Sequence, residues 1–258
     1  MKSKYDFVIL TPGRSGSTHL AESLNACSDI SVHDEIFNRS AYTEGTLNHY
    51  IQGETSSFFR FLFHREKTSS LPINYPLKRQ ITRFLSSGRS KSAVAGKQGF
   101  RLTNDQLEAY PFVLDYLMQH EVPILYLYRE DWIAQTISLV VARSSGMYHA
   151  YSRSDKKYSP KISISPQLIH AELKRGLNRH QRIAKKCFEY PLFLRITYEQ
   201  LFTDYIKALY QIQNFLGLEG IGTVQLSNQV KLNPTTLEEW VENSEDIKLY
   251  CQNIIPND

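Results

Sequence analysis

Residues 11–18 read Thr-Pro-Gly-Arg-Ser-Gly-Ser-Thr, which puts two glycines, one guanidinium and four hydroxyls within eight positions. The chemistry open to such a stretch is holding a phosphate. It follows the apolar run Phe7, Val8, Ile9, Leu10 and precedes a helical pattern with Leu20, Ala21 and Leu24 on one face. A turn between strand and helix offers the helix's unpaired first N–H groups and the positive end of its dipole. Glycine there lets an anion come close to the backbone. The turn is not a Walker A loop, which needs four residues between its glycines and a lysine after the second. Only Arg14 and Ser15 separate Gly13 from Gly16, and Arg14 stands where a nucleotide kinase carries lysine. The plain alternative is a strand–helix connection rich in capping residues.

A second cationic group leaves a second apolar run. After residues 122–128 come Arg129, Glu130, Asp131 and a helical pattern containing Gln135, Ser138 and Leu139. If the sheet is parallel, Arg129 shares an edge with Arg14. Its planar fork of donors suits a phosphate dianion. The alternative pairs Arg129 with Glu130 or Asp131 at a helix start and leaves Ser138 bonding its own backbone. For proton transfer the candidates are His33, Asp34 and Glu35, just after a short apolar run at 30–32. A carboxylate walled by an aromatic such as Phe37 titrates upward, which suits a general base near neutrality. A polar turn without catalytic duty is the alternative for all three. His19, inside the first helix, reads as a packing or capping residue.

Taken in order, these segments resemble the sulfotransferases that use 3′-phosphoadenosine 5′-phosphosulfate (PAPS), most of all the bacterial carbohydrate branch typified by the trehalose and nodulation-factor enzymes. Arg14-Ser15-Gly16-Ser17 is similar to that branch's Arg-x-Gly-Ser loop, and Arg129, Asp131, Gln135, Ser138 and Leu139 to its Arg-x-Asp…Gln-x-x-Ser-Leu segment, with Gly146 and Tyr148 just beyond. The resemblance implies that Gly13, Arg14, Ser15, Gly16, Ser17 and Thr18 hold the 5′-phosphosulfate. It implies that Arg129 and Ser138 hold the 3′-phosphate, with Tyr198 as a further cofactor contact. Glu35, in a Glu-x-Phe context, matches the branch's general base; His33 is the runner-up, and Arg14 would stabilise the leaving group. Weaker matches are residues 194–201 with Gln200 in place of the usual Asp, residues 99–102 carrying Arg101, and the loop at Lys231. PAPS as co-substrate, its bisphosphate PAP as product, no metal, and a sugar or glycolipid acceptor follow from family analogy alone.

The elements that must position these groups alternate. Strands are expected over 5–10, 30–32, 93–102, 122–128 and 191–197. Helices are expected from about 17, over 104–120 with Pro111 opening a second half, and over 131–145, 166–186, 198–216 and 237–243. Continuous apolar strands between amphipathic helices argue a three-layer α/β domain, its mostly parallel sheet covered on both faces. The resemblance makes this the P-loop-NTPase-like sulfotransferase fold, a single domain over 1–258. Residues 38–93, aromatic-rich and then Ser/Gly/Lys-rich, read as an insertion on the substrate side.

Charge and composition narrow the classes. The net charge is +4, yet residues 54–93 carry eight Lys/Arg against Glu54 and Glu66. A basic middle suits an anionic small molecule, and no nucleic-acid motif accompanies it. Cys27, Cys187 and Cys251 are widely spaced and form neither a disulfide framework nor a zinc motif. No apolar run is long enough for a signal peptide or a membrane span, so a cytoplasmic protein is expected. Relatives that dimerise admit a homodimer. Three other readings remain open: a P-loop-like kinase or NTPase, a non-catalytic anion-binding module, and a nucleic-acid binder.

Overall fold

A computed structural model of the chain describes residues 5–27, 29–33, 96–109, 111–145, 161–218, 241–252 and 254. Asp34, Glu35, Phe37, the 38–93 insertion, Gly146, Tyr148 and Lys231 lie outside the described residues. The strands are β1 (Phe7–Thr11), β2 (Ile30–His33), β3 (Lys97–Thr103), β4 (Ile124–Tyr128) and β5 (Phe193–Thr197). The helices are α1 (Ser17–Asn25), α2 (Asn104–Ala109), α3 (Phe112–Gln119), α4 (Trp132–Ser145), α5 (Pro166–Cys187), α6 (Tyr198–Thr203), α7 (Tyr205–Leu216) and α8 (Ser244–Cys251). The strands form one sheet in the order β2-β3-β1-β4-β5, and every pairing is parallel. The expected sheet is therefore present.

Both faces are covered because successive side chains leave a strand on opposite sides. Phe7, Ile9, Leu125, Leu127 and Ile196 share a core with Leu20 and Leu24 of α1 and with Leu209 and Ile212 of α7. Tyr126 and Tyr128 leave the other face and pack on His180 of α5, Tyr126 stacked and Tyr128 tilted. A second core joins Ile137 of α4, Ile169 and Leu173 of α5 and Ile247 of α8. Each such buried aliphatic or aromatic side chain contributes about 1.5–3 kcal/mol. Gly99 is there for close approach: a Cβ would lie 2.4 Å from the ring of Phe7.

Three boundaries differ from expectation. The third strand starts at Lys97. The 198–216 helix breaks at Asp204, whose carboxylate accepts from the Lys207 N–H at 3.1 Å and so starts α7. Of the helix expected over 237–243, the described residues 241–243 instead form a bridge, Val241 with Ile162, and a turn, and α8 begins at Ser244. Asn243 is the reason. Its side chain accepts from the Ile164 N–H at 3.0 Å and donates to the Ile164 carbonyl at 2.8 Å, which holds residue 243 outside the helix as the N-cap of α8.

The chain passes from β1 to the β2–β3 side and crosses to β4–β5 only after β3. The strand order thus reverses beside β1. In open parallel sheets ligands bind at that switch point, outside the carboxyl ends of the strands. Five segments arrive there: residues 12–16, His33, Thr103, Arg129 and Thr197–Tyr198.

Candidate functional site

The loop after β1 is held in an unusual backbone shape. Arg14 has φ 65° and Gly16 has φ 81°, both in the left-handed region. For a non-glycine this costs of order 1–3 kcal/mol, so surrounding contacts must impose it. Inside the loop the Ser15 hydroxyl donates to the Pro12 carbonyl at 2.9 Å and also bonds the Thr11 hydroxyl. From outside, one face of α4 latches on. Gln135 donates to the Gly13 carbonyl at 2.7 Å, Leu139 packs against Gly13, and Ser138 accepts from the Arg14 Nε at 3.0 Å. Positions 135, 138 and 139 share a face because side chains three and four apart are helix neighbours.

The first turn of α1 has neither a side-chain cap nor an acidic residue. Its opening N–H groups, with the helix dipole behind them, face the loop. Gly16 is required twice over: its φ disfavours a side chain, and a Cβ would come within 2.9 Å of the Tyr198 ring. Ser15 is fully buried and its hydroxyl is consumed inside the loop, so toward a ligand it offers a backbone N–H. Ser17 and Thr18 sit over β3, where Arg101 donates to both hydroxyls.

Arg129 leaves β4 at the same edge. Its guanidinium stands 4.8 Å from the Tyr198 ring centroid, 3.6 Å from Asp131 and 3.8 Å from Glu199. Glu199 does more: its carboxylate accepts the Glu130 N–H at 3.0 Å and the Asp131 N–H at 3.4 Å. Asp131 in turn caps α4 by accepting from the Ala134 N–H at 2.9 Å. The ion pairing expected as the plain alternative for Arg129 is thus real for Asp131. It leaves the Arg129 Nε buried with no hydrogen bond among the described residues. Burial pushes the Tyr198 phenol above its ordinary pKa, against the pull of Arg129 and Arg14.

Tyr198 itself is set by local chemistry. Thr197 and Gln200 form a reciprocal capping box, Gln200 N–H to Thr197 Oγ1 at 3.0 Å and Thr197 N–H to Gln200 Oε1 at 2.9 Å. Glutamine in place of the usual Asp at position 200 therefore has a structural use. His33 ends β2 on the same edge, its ring against Tyr5. His19 is packed between Phe202 and Tyr205, as expected of a packing residue, and burial lowers its pKa.

The structure brings together the opening loop, Ser138, Arg129 and Tyr198. Two contacts were not foreseen. Arg14 and Ser138, assigned from sequence to different phosphates, are bonded directly. Glu199, assigned no role from sequence, anchors the Arg129 turn, and its place in the 194–201 match beside Tyr198 was the signal for it.

The family profile described as Stf0 sulphotransferase matches residues 6–245. The chain belongs to that family. Among solved structures it is similar to the sulfotransferase domain from the curacin biosynthetic pathway, at 14% identity and TM-score 0.50, covering 100% of this chain and 94% of that one. It is also similar to the sulfotransferase domain of the Synechococcus PCC 7002 olefin synthase, at 13% identity and TM-score 0.48 over 100% and 90% of the two chains. Mouse sulfotransferase SULT7A1, solved with PAP, aligns at 16% identity and TM-score 0.44 over 84% of this chain, which spans 59% of the mouse protein's length. No curated protein matches significantly. At these identities the likeness to solved structures is one of fold. Among the described residues no helix of this sulphotransferase-family chain is long and apolar enough to cross a membrane.

Proposed function

We propose that this protein transfers a sulfonate from PAPS to a hydroxyl of a carbohydrate or glycolipid and releases PAP. The observation that carries the reading is a pair of guanidiniums at the switch-point edge of a sulphotransferase-family sheet, Arg14 bonded to Ser138 and Arg129 over the Tyr198 ring. Two cations beside an uncapped helix start fit a ligand with two separated phosphates better than one with a single anionic group.

PAPS supplies the sulfonate and an adenosine bisphosphate leaving group. The residues present fit it: the backbone N–H groups from Gly13 to Thr18 and Arg14 would hold a 5′-phosphate, and Arg129, whose buried Nε has no hydrogen bond among the described residues, would hold a 3′-phosphate together with Ser138. Tyr198 lies against the Arg129 guanidinium and beside Gly16 of the loop. In the transfer the acceptor oxygen bonds to sulfur as the bond from sulfur to the 5′-phosphate oxygen breaks, and negative charge collects on that phosphate. Arg14 and the helix start stabilise it there. The acceptor's proton goes to Glu35, with His33 as the second candidate. The carbohydrate class rests on the likeness of the Arg129–Leu139 and Glu35 segments to the bacterial carbohydrate branch, and residues 38–93 would meet the acceptor. Three free, buried cysteines suit the reducing cytoplasm.

The test is PAPS turnover with a panel of sugars, read by mass spectrometry as PAP and a product heavier by one sulfonate. Glu35→Gln is expected to lower kcat by about 10²–10⁴-fold with nucleotide affinity unchanged. PAP binding without turnover on any sugar, phenol or lipid acceptor would reduce the chain to a nucleotide-binding module.

A further inference from the structure

Arg101 is a charged residue only 5% exposed, in a strand beside the centre of the sheet. It pairs in register with Ile9, so its side chain leaves the sheet on the face that α1 covers. There Nη1 donates to Ser17 Oγ at 3.3 Å and to Thr18 Oγ1 at 2.6 Å. A guanidinium has donors and no acceptor. Both hydroxyl oxygens therefore receive a hydrogen bond from beneath, and both hydroxyl hydrogens must point elsewhere. The helix start they belong to has no side-chain cap and no acidic residue in its first turn.

We infer that Arg101 is a positioning residue, which fixes the Ser17 and Thr18 hydroxyls as donors toward the anion held at the loop. The inference rests on the PAPS reading and deepens it: Arg101 acts on the 5′-phosphate through two hydroxyls and has no part in holding the 3′-phosphate. A hydroxyl already accepting from a cation is polarised and is a better donor in turn. Its effect grows as charge collects on the leaving phosphate, so kcat depends on it more than KM does.

The experiment is isothermal titration of the full chain and its variants with 5′-AMP, 3′-AMP and PAP, with a thermal melt of each variant. Arg101→Gln is expected to weaken 5′-AMP and PAP roughly tenfold and to leave 3′-AMP within about twofold. Arg101→Lys, which keeps a donor, should recover part of the loss. Thr18→Val, which leaves Arg101 in place, should weaken 5′-AMP similarly, and the Arg101→Gln/Thr18→Val pair should lose less than the two single losses combined. Equal loss for 3′-AMP and 5′-AMP, additive single losses, or no effect of Thr18→Val would each overturn the role, and the Thr18 variant decides the matter if Arg101→Gln does not fold. A parent protein that binds 5′-AMP as tightly as PAP would instead overturn the PAPS reading while the Arg101 result on 5′-AMP still stands or falls by itself. A parent that binds none of the three nucleotides overturns both.

Discussion

The loop after β1 and the turn after β4 each bring an arginine to one sheet edge, yet they are built in opposite ways. The first is a backbone device. Its shape comes from left-handed Arg14 and Gly16 and from hydrogen bonds among Thr11, Pro12 and Ser15, none reaching beyond four residues. The second is a side-chain device. Arg129 takes its place from Glu199 and Tyr198, about seventy positions along the chain, which arrive only once β5 has paired with β4. Local sequence shapes the first, which α4 then holds through Gln135 and Ser138; the second exists only in the folded sheet. The two meet at the Arg14–Ser138 hydrogen bond, where a helix following the second device steadies the first.

This contrast can be broken most forcibly at Gly16. Gly16→Ala puts a side chain at φ 81° and 2.9 Å from the Tyr198 ring, so it strikes both devices. We expect a stability loss of about 1–3 kcal/mol in urea melts and no measurable nucleotide binding. Retention of binding would mean the loop does not need its left-handed shape.

Glu199→Gln sharpens the contrast with a smaller effect. It removes the charge beside Arg129 and weakens the anchoring of the Glu130 and Asp131 N–H groups. Affinity for PAP should fall about three- to tenfold, in line with a charge-assisted hydrogen bond made neutral, while 5′-AMP binding stays as it was. A matched loss of 5′-AMP would show that the two devices are not separable.

The smallest expected effect is on pH dependence, and each region has its own histidine. His19 on α1 packs beside the loop, and His180 packs on Tyr128 and Trp132, which flank Arg129. Burial lowers the pKa of both; Glu22 opposes it at His19, and Arg195 reinforces it at His180. In the unfolded chain a histidine takes its proton near pH 6.5, whereas the folded one resists until lower pH. The unfolded state therefore binds more protons, and stability rises with pH in this window. It should be fully present above about pH 7 and fall away as the pH drops below the unfolded value. Melting temperatures between pH 5 and 8 should show that slope, flatter in His19→Gln and in His180→Gln. An unchanged slope in both variants would assign the acid sensitivity elsewhere.

What could be read in advance follows the same division. The parallel sheet was readable because Phe7–Leu10 and Ile124–Leu127 are continuous apolar runs, and such runs fit a strand buried on both faces. The α1 start was readable from its glycines and hydroxyls. Arg129 and Ser138 could be named from motif, and Asp131 as a neighbour able to pair with Arg129, but their distant partners could not. Nothing local says that Glu199 will reach the turn after β4, or that the Arg14 side chain will fold back onto α4. That residues 241–243 are not helical was unreadable because the hold of Asn243 on Ile164 spans 79 positions and leaves no periodic trace.

The most direct test of the two-phosphate grip is thermal stabilisation by PAP compared with 5′-AMP and with ATP plus magnesium. The protein should be stabilised most by PAP, and Arg129→Ala should reduce the PAP shift to that of 5′-AMP while leaving the 5′-AMP shift unchanged. Equal stabilisation of the parent protein by PAP and 5′-AMP, or a larger shift with ATP and magnesium, would contradict it.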